Sequence, residues 1–157
     1  MPPSSVPSEP TRDFTATTFV VRGQRTLLLW HNKMGAWLPP GGHIDSGELP
    51  EAAALREVLE ECGLTVELVD TGRSAGVLGS VRVLHSPWCI LLEDIEPGHQ
   101  HIDLIYVARS ADDTEPRIDR REAGRFRWCT VADLQATEIA EDIRVLGSEA
   151  IRLAGAA

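Results

Sequence analysis

The sequence has few cysteines and no long hydrophobic run. Only three of its 157 residues are cysteine, at positions 62, 89 and 129, and no two of them form a C-x-x-C pair. An odd number without such a pair indicates neither a disulfide framework nor a zinc knuckle, so we expect small buried thiols in a reducing compartment. The absence of a long apolar run argues against a transmembrane helix. Because the first residues also lack a basic region followed by an apolar stretch, no secretory signal is predicted and we expect a cytoplasmic protein.

Positive charge is also scarce. The chain has 15 Lys and Arg against 24 Asp and Glu, which leaves a net charge of −9. Such a chain repels nucleic acid, so a nucleic-acid partner is not expected. One arginine-rich stretch surrounds Glu122 and comprises Arg117, Arg120, Arg121, Arg125 and Arg127. It fits either a solvated loop or a local attraction for an anionic substrate.

Length and pattern predict one α/β domain. Residues 1–12 are rich in Pro and Ser and are predicted to form a flexible tail, and residues 13–157 are expected to form a single domain. Strands are predicted at 15–22, 26–30, 65–70, 88–95, 101–109 and 125–129, and helices at 50–62, 131–135 and 138–153. The segment 39–42 reads Pro-Pro-Gly-Gly and is expected to be irregular, while 71–86 is ambiguous. Because strands and helices do not alternate strictly, we expect a mixed sheet flanked by helices.

The clearest element is the helix 50–62. Pro50 suits its first turn and Gly63 the position after its end. Leu49 stands where a capping side chain is expected, at a cost of about 1 kcal/mol, and Glu48 or Ser46 could cap instead. An apolar stripe at helical spacing is predicted to face the core: Ala52, Leu55, Val58, Leu59 and Cys62.

Three glutamates share another face of this helix. Glu57 lies three and four residues from Glu60 and Glu61, so the three carboxylates are neighbours. One like-charge pair about 4 Å apart costs roughly 4 kcal/mol at an effective dielectric near 20. Arg56 offsets only about 0.2–0.5 kcal/mol of that as a surface pair. Either the side chains splay into water or a cation sits among them, and all-oxygen ligation suits Mg²⁺ or Mn²⁺.

The spacing of these residues follows a longer pattern. From Gly42 to Leu64 the chain reads GHIDSGELPEAAALREVLEECGL, which matches G-x5-E-x7-R-E-U-x-E-E-x-G-U with U a bulky aliphatic residue. This segment resembles the signature box of the Nudix hydrolase family, with every fixed position filled. The flanking strands and the terminal helix are also similar to the family's α/β/α sandwich, so the resemblance covers most of the chain beyond the tail.

The resemblance implies a reaction and a set of site residues. It implies Mg²⁺- or Mn²⁺-dependent hydrolysis of a pyrophosphate bond in a small nucleoside diphosphate derivative or nucleoside triphosphate, by attack of water on phosphorus. Arg56 would orient the carboxylates, Glu48 would stabilise the loop, and Glu57 or Glu61 would act in catalysis. The implied metal ligands are the Gly41 carbonyl, Glu57, Glu60, Glu61 and Glu122. Homodimers are common in the family, so a homodimer is an open expectation.

Several other residues have two interpretations each. His99, His101 and Asp103 alternate and share one face of a strand, which fits a metal or substrate site or an ordinary polar face. His43 follows the loop glycines and could contact phosphate or pack the loop. Trp37 could stack on a base or join the core.

Two rival functions stay open. The first is a Nudix-like domain that senses a nucleotide without cleaving it, although such a domain need not keep its glutamates. The second is an isomerase of isoprenoid diphosphates, which shares the fold and needs a reactive cysteine. Because Cys62 falls on the apolar stripe and the other two cysteines fall in strands, we rank the isomerase lowest.

Overall fold

A computed structural model describes residues 8–155. Part of the predicted tail, residues 1–7, lies outside the described residues. Within the described part, the first strand already begins at Thr11, before the start of the predicted domain. No helix among residues 8–155 is long and apolar enough to cross a membrane.

The elements follow the predicted order. The strands are β1 Thr11–Arg22, β2 Arg25–His31, β3 Ala36–Leu38, β4 Gly41–His43, β5 Val66–Leu68, β6 Gly76–Leu78, β7 Val81–Val83, β8 Cys89–Glu96, β9 His99–Ser110 and β10 Ala123–Cys129. The helices are α1 Pro50–Cys62 and α2 Glu141–Gly155, and a short 3-10 turn spans Asp133–Gln135. The ambiguous segment 71–86 contains the small β6–β7 hairpin.

One curled sheet organises the chain, with the strand order β10-β2-β1-β9-β5. The strands β1 and β9 run parallel over most of their length, whereas β1–β2 and β8–β9 are antiparallel, as expected for these two pairs. The predicted mixed sheet is therefore confirmed. The short strand β4 pairs with β1 at Thr15–Thr17 and brings the loop before α1 onto the sheet.

The two faces of β1 build two cores, since neighbouring side chains of a strand point to opposite sides. Phe19 and Val21 pack with Ile151 of α2 on one side. Val20 packs with Val58 of α1 on the other. The α/β/α sandwich places α1 against one face of the sheet and α2 against the other.

The predicted apolar stripe of α1 is wrong in three of its five members, since Ala52 is exposed as well as the two leucines. Leu55 and Leu59 are 39 % and 56 % exposed, while Ala53 and Ala54 are fully buried. Alanines at the contact let the helix lie close to the sheet, and this close approach carries Glu57 and the neighbouring carboxylates to the sheet edge instead of into water. The leucines are therefore turned to the outside.

The ends of α1 follow the sequence more closely. Pro50 occupies the first turn, and no side chain caps the N-terminus, so neither Glu48 nor Ser46 replaces the missing cap. Gly63 adopts the left-handed conformation with φ of 66°, and its N–H donates to the Leu59 carbonyl at 2.9 Å.

The expectation that residues 39–42 are irregular is wrong for the two glycines. Gly41 and Gly42 belong to β4, opposite Thr17 and Ala16 of β1. A Cβ on Gly41 would lie 2.5 Å from the Thr17 hydroxyl, so the strand pairs this closely only without a side chain. Glycine at these positions therefore lets β4 lie close to β1, and glycine permits such a close approach in a strand as well as in a turn.

Candidate active site

Arg56 lies at the centre of a carboxylate cluster at the edge of the sheet. Its Nε and Nη2 donate to the two oxygens of Glu48 at 2.8 and 2.9 Å. Its Nη1 donates to Glu57 at 2.8 Å and to Glu60 at 3.1 Å. Its Nη2 also donates to the carbonyl of His43 at 2.9 Å. One guanidinium therefore ties the loop, β4 and the helix together, and its hydrogen bond holds the pKa of Glu48 at about 2.

Glu57 and Glu61 point inward from the next turns of α1. Burial raises the pKa of Glu57, although the Arg56 hydrogen bond opposes the shift. Burial and the charge of Glu57 raise the pKa of Glu61 to about 9, against one favourable hydrogen bond from the Gly41 amide at 3.2 Å. Without a cation, Glu61 would thus hold its proton at neutral pH.

The loop before β10 carries a further carboxylate to the same place. The amides of Arg117 and Asp119 donate to the carbonyls of Cys62 and Glu61 at 2.7 and 3.0 Å, which satisfies the C-terminal end of α1. The side chain of Glu122 then lies within hydrogen-bonding reach of Glu61 and contributes to its raised pKa. Three carboxylates converge, from Glu57, Glu61 and Glu122, and Gly41 lies beside them.

Glu60 stands apart from this group. Its side chain is 59 % exposed and contacts Arg56 at the rim of the cluster. The structure therefore brings together four of the five predicted metal ligands, and places the fifth where it would need to swing inward to join them.

Gly42 leaves room for the side chain of Glu57. A Cβ at this position would lie 2.5 Å from an oxygen of Glu57. The second glycine of β4 therefore lets the glutamate side chain occupy the space beside it, which gives a physical reason for glycine at this position of the box.

The donor set fits a divalent metal. Three carboxylates, two of them shifted toward protonation by burial and mutual charge, favour a cation among them. Oxygen ligands of this kind suit Mg²⁺ and Mn²⁺. Arg56 cannot serve as that cation for Glu61, since its own contacts go to Glu48, Glu57, Glu60 and His43.

The substrate candidates lie in two different environments. His43 and His101 lie at the open end of the sheet, with ring centroids 5.0 Å apart. Burial, followed by the charges of neighbouring histidines, lowers the pKa of His101. Trp37 lies in the core at 7 % exposure, edge-on to Trp30, with the guanidinium of Arg125 5.2 Å from its ring.

The arginine-rich stretch forms a surface near Glu122. Arg117, Arg120 and Arg125 line an open depression of about 340 Å³ together with Phe126. Arg121 instead pairs with Asp119 at 2.9 Å. Three of the five arginines thus share one surface, in agreement with a local attraction for anions.

The threonine donors of the buried Asp103, near His101, were missed by the sequence analysis. The hydroxyls of Thr15 and Thr17 both donate to the Asp103 carboxylate at 2.9 Å. Burial and the adjoining Asp103 raise the pKa of Glu93. The signal was present, because Thr15 and Thr17 alternate along a strand in parallel register with Asp103, but the register is a tertiary fact.

Comparisons with known proteins agree with this geometry. A sequence model of the NUDIX domain matches residues 11–148. A NUDIX-family hydrolase from Clostridium perfringens superposes with a TM-score of 0.80 at 34 % identity, covering 92 % of this chain and 99 % of that one. A putative 8-oxo-dGTP diphosphatase 3 of Mycobacterium tuberculosis is 30 % identical over 145 residues, 67 % of each chain. An isopentenyl-diphosphate Delta-isomerase of Streptomyces griseus is 30 % identical over 125 residues, 75 % of this chain and 57 % of the relative.

The fold and the acidic site together define an α/β/α sandwich enzyme with carboxylates at the end of its sheet. With the domain match and these relatives, the chain belongs to the Nudix hydrolase family.

Proposed function

We propose that this enzyme hydrolyses a pyrophosphate bond in a nucleoside diphosphate derivative or a nucleoside triphosphate, with Mg²⁺ or Mn²⁺, by attack of water on phosphorus. The observation that carries the proposal is the convergence of Glu57, Glu61 and Glu122, where the pKa of Glu61 is raised to about 9. The charge of such a cluster, in which Glu57 and Glu61 are partly buried and Glu122 is exposed, is compensated when a divalent cation binds.

The residues of the site have complementary parts in this reaction. The carboxylates of Glu57, Glu60, Glu61 and Glu122 and the carbonyl of Gly41 would hold the metal. The bound metal neutralises phosphate charge and makes a water molecule easier to deprotonate. Glu57 or Glu61 would accept the proton, and Arg56 keeps Glu57 in place through its 2.8 Å hydrogen bond.

The substrate is a small nucleotide in this proposal, and its recognition falls to residues around the sheet end. His43 and His101 face the open end, and the arginine-lined depression lies beside the Glu122 loop. Trp37 is the fourth candidate, although its buried ring packs against Trp30. A cytoplasmic location and a homodimer stay predictions.

The isomerase alternative meets a physical obstacle at the cysteines. Burial, followed by the charge of Glu61, raises the pKa of Cys62 to about 12, and burial also raises the pKa of Cys89 and Cys129. A reactive thiol needs a lowered pKa and access to solvent. None of the three cysteines is therefore activated.

A substrate screen tests the proposal. Purified enzyme is incubated with nucleoside triphosphates, 8-oxo-dGTP, nucleoside diphosphate sugars, dinucleoside polyphosphates and isopentenyl diphosphate, first with Mg²⁺ and then with Mn²⁺. Separate detection of orthophosphate, pyrophosphate and monophosphate identifies the bond that is cut. We expect turnover of at least one nucleotide that requires the metal and is lost on chelation.

Two outcomes would contradict the proposal. Binding of a nucleotide without any turnover would favour the sensor. Isomerisation of isopentenyl diphosphate without nucleotide hydrolysis would favour the isomerase.

A further inference from the structure

A second polar cluster contains none of the carboxylates of the proposed reaction centre and includes His43 and His101, the two histidines offered above as substrate candidates. Three strands meet there: Asp13 comes from β1, His43 from β4, and His99 and His101 from the start of β9. Asp13, His99 and His101 each offer one ligand atom within 4.8 Å of the others. The rings of His43 and His99 lie 5.0 and 5.3 Å from that of His101, centroid to centroid.

We propose that Asp13, His43, His99 and His101 form a second metal site, separate from the glutamate cluster, that takes a transition-metal cation of the Zn²⁺ class. Three imidazoles and one carboxylate form the donor set of a four-coordinate tetrahedral site. Imidazole nitrogen favours Zn²⁺, Co²⁺ and Ni²⁺ over Mg²⁺, which prefers the all-oxygen cluster.

Two distances from Asp13 to its neighbours match that geometry. Oδ2 of Asp13 lies 3.1 Å from Nε2 of His43 and 3.2 Å from Nε2 of His99. Two ligands about 2.0–2.1 Å from a tetrahedral metal are about 3.3 Å apart. A cation can therefore enter with small movements of the side chains, and Asp13 and His43 are open enough to solvent to admit it, with about half of each side chain exposed.

Thr11 contacts the second ring nitrogen of His99. Its hydroxyl lies 3.3 Å from the carbonyl of Gly98 and 2.8 Å from Nδ1 of His99. A hydroxyl has one proton, so it either donates to Nδ1, which leaves the ring proton on Nε2 beside Asp13, or donates to the carbonyl and accepts from the Nδ1–H. In the second arrangement, Nε2 of the neutral ring is unprotonated and can bind a cation together with the Asp13 carboxylate.

A metal ion between Nε2 of His99 and Oδ2 of Asp13, which lie 3.2 Å apart, selects the second arrangement. It then has the outer partner that metal-binding histidines commonly show, in which the second ring nitrogen donates to a neighbouring acceptor. The competing arrangement is a hydrogen bond between His99 and Asp13 without metal, and it serves as an outcome of the test.

Cobalt is the probe for the experiment. Chelator-treated full-length enzyme is dialysed into excess Mg²⁺, which occupies the glutamate cluster, and Co²⁺ is then titrated while bound metal and visible absorption are measured. We expect one equivalent of Co²⁺ with the intense visible bands of tetrahedral coordination, and loss of these bands when Zn²⁺ is added.

Variants of the proposed ligands and of Thr11 test which contacts the metal site needs. The double variant His99→Gln/His101→Gln should lose this binding, and Asp13→Asn, on a half-exposed side chain, should weaken it while keeping a wild-type circular dichroism spectrum. Thr11→Val removes only the outer partner and should weaken binding by about 10–100-fold. His31→Gln is the matched control because His31 contacts the Met34 amide and not the cluster, so it should bind as wild type.

Glu61→Gln separates this site from the glutamate cluster and should keep the tetrahedral bands. Bands that survive in the double histidine variant would overturn the proposal. So would bands lost in Glu61→Gln, or no Co²⁺ bound in excess Mg²⁺, which would leave the metal-free hydrogen bond between His99 and Asp13.

Discussion

Helix α1 carries two inward-facing glutamates with opposite electrostatics. Burial alone would raise the pKa of Glu51, but the amide and ring of His85, at 2.9 and 2.7 Å, and Arg82, at 2.7 Å, leave it lowered. Glu61 is buried among carboxylates, and its pKa is raised to about 9. Both side chains lie on the same 13-residue helix.

The difference is the one expected between a structural carboxylate and the functional one that we propose at Glu61. The counter-charges of Glu51 lie within the fold. Its contacts with Arg82 and His85 hold β7 and the segment after it against the helix. Glu61 has one backbone donor and lies next to Glu57, so its charge can be compensated only by something that the chain does not supply. Perturbed carboxylates of this kind mark functional sites, while satisfied ones do not.

The largest expected effect is at Glu61, whose charge has no counter-charge within the fold. Glu61→Gln keeps the shape and the hydrogen bond from the Gly41 amide but removes the charge that would hold a metal. We expect turnover of the substrate found in the screen to fall by about 10²–10⁴-fold. The unfolding temperature without metal should stay about the same at neutral pH, because metal-free Glu61 holds its proton there and glutamine is likewise uncharged.

Glu67→Gln is the matched control, since Glu67 is exposed on β5 away from the cluster. It should leave both quantities unchanged. Near-normal turnover in Glu61→Gln would contradict the assignment of this cluster as the reaction centre.

A smaller loss of activity is expected when a substitution at Gly42 crowds the side chain of Glu57. In Gly42→Ala the new Cβ would lie 2.5 Å from a Glu57 oxygen, so the carboxylate must move. A displacement of about 1 Å at a reaction centre can lower turnover by about 100-fold, and we expect a decrease of up to that size. The check is kcat at saturating Mg²⁺.

Gly155→Ala is its control, because a Cβ there meets only ordinary contact with Gln24 at 3.6 Å. Equal activities of the two alanine variants would show that Glu57 tolerates the crowding and would remove the argument for this glycine.

A substitution at Glu51, whose charge is paired with Arg82 and His85, should change the stability of the protein. Glu51→Gln removes the charge that Arg82 and His85 share, and we expect a loss of about 1–3 kcal/mol in the free energy of unfolding, measured by urea denaturation. Arg82→Ala should cost less, since 65 % of that side chain is exposed and exposed pairs contribute little.

Turnover at a temperature where all variants are folded should stay close to wild type for Glu51→Gln. If instead this variant lost activity as strongly as Glu61→Gln while remaining fully folded, the distinction between the two glutamates would be wrong.

These two glutamates also show what a sequence can and cannot predict. The box spacing placed Glu57, Glu60 and Glu61 on one helix face, and like-charge repulsion alone indicated a cation. Periodicity likewise predicted α1, the β1–β2 hairpin and the antiparallel β8–β9 pair, all of which are confirmed. These predictions succeed because they depend on local spacing.

The failures depend on contacts between distant residues. The partners of Glu51 lie 31 and 34 residues away, so nothing local distinguishes it from a solvated glutamate. Leu55 and Leu59 were expected in the core because apolar side chains usually are, but the alanines set how closely the helix approaches the sheet. Asp103 gained its threonine donors only through the parallel pairing of β1 and β9.

The smallest expected effect is a pair of opposite pH dependences in stability. The pKa of Glu61 in the folded, metal-free enzyme is about 9, above the ordinary 4.5, so the folded state binds the extra proton between these values and loses stability as pH rises through them. The pKa of Glu51 is lowered on folding, so its contribution is present at neutral pH and is lost as pH falls. The measurement is the unfolding temperature with EDTA from about pH 3, below the ordinary pKa of a glutamate, to about pH 10.

Paired variants isolate each carboxylate, because the raised pKa values of Glu57 and Glu93 add slopes in the same direction as that of Glu61. The gain of Glu61→Gln over wild type should grow toward high pH and disappear when Mg²⁺ is added. The deficit of Glu51→Gln should shrink toward low pH and be indifferent to Mg²⁺. If the two variants showed the same pH dependence, the charges of Glu51 and Glu61 would be compensated to the same extent. The electrostatic argument for a metal at Glu61 would then be lost.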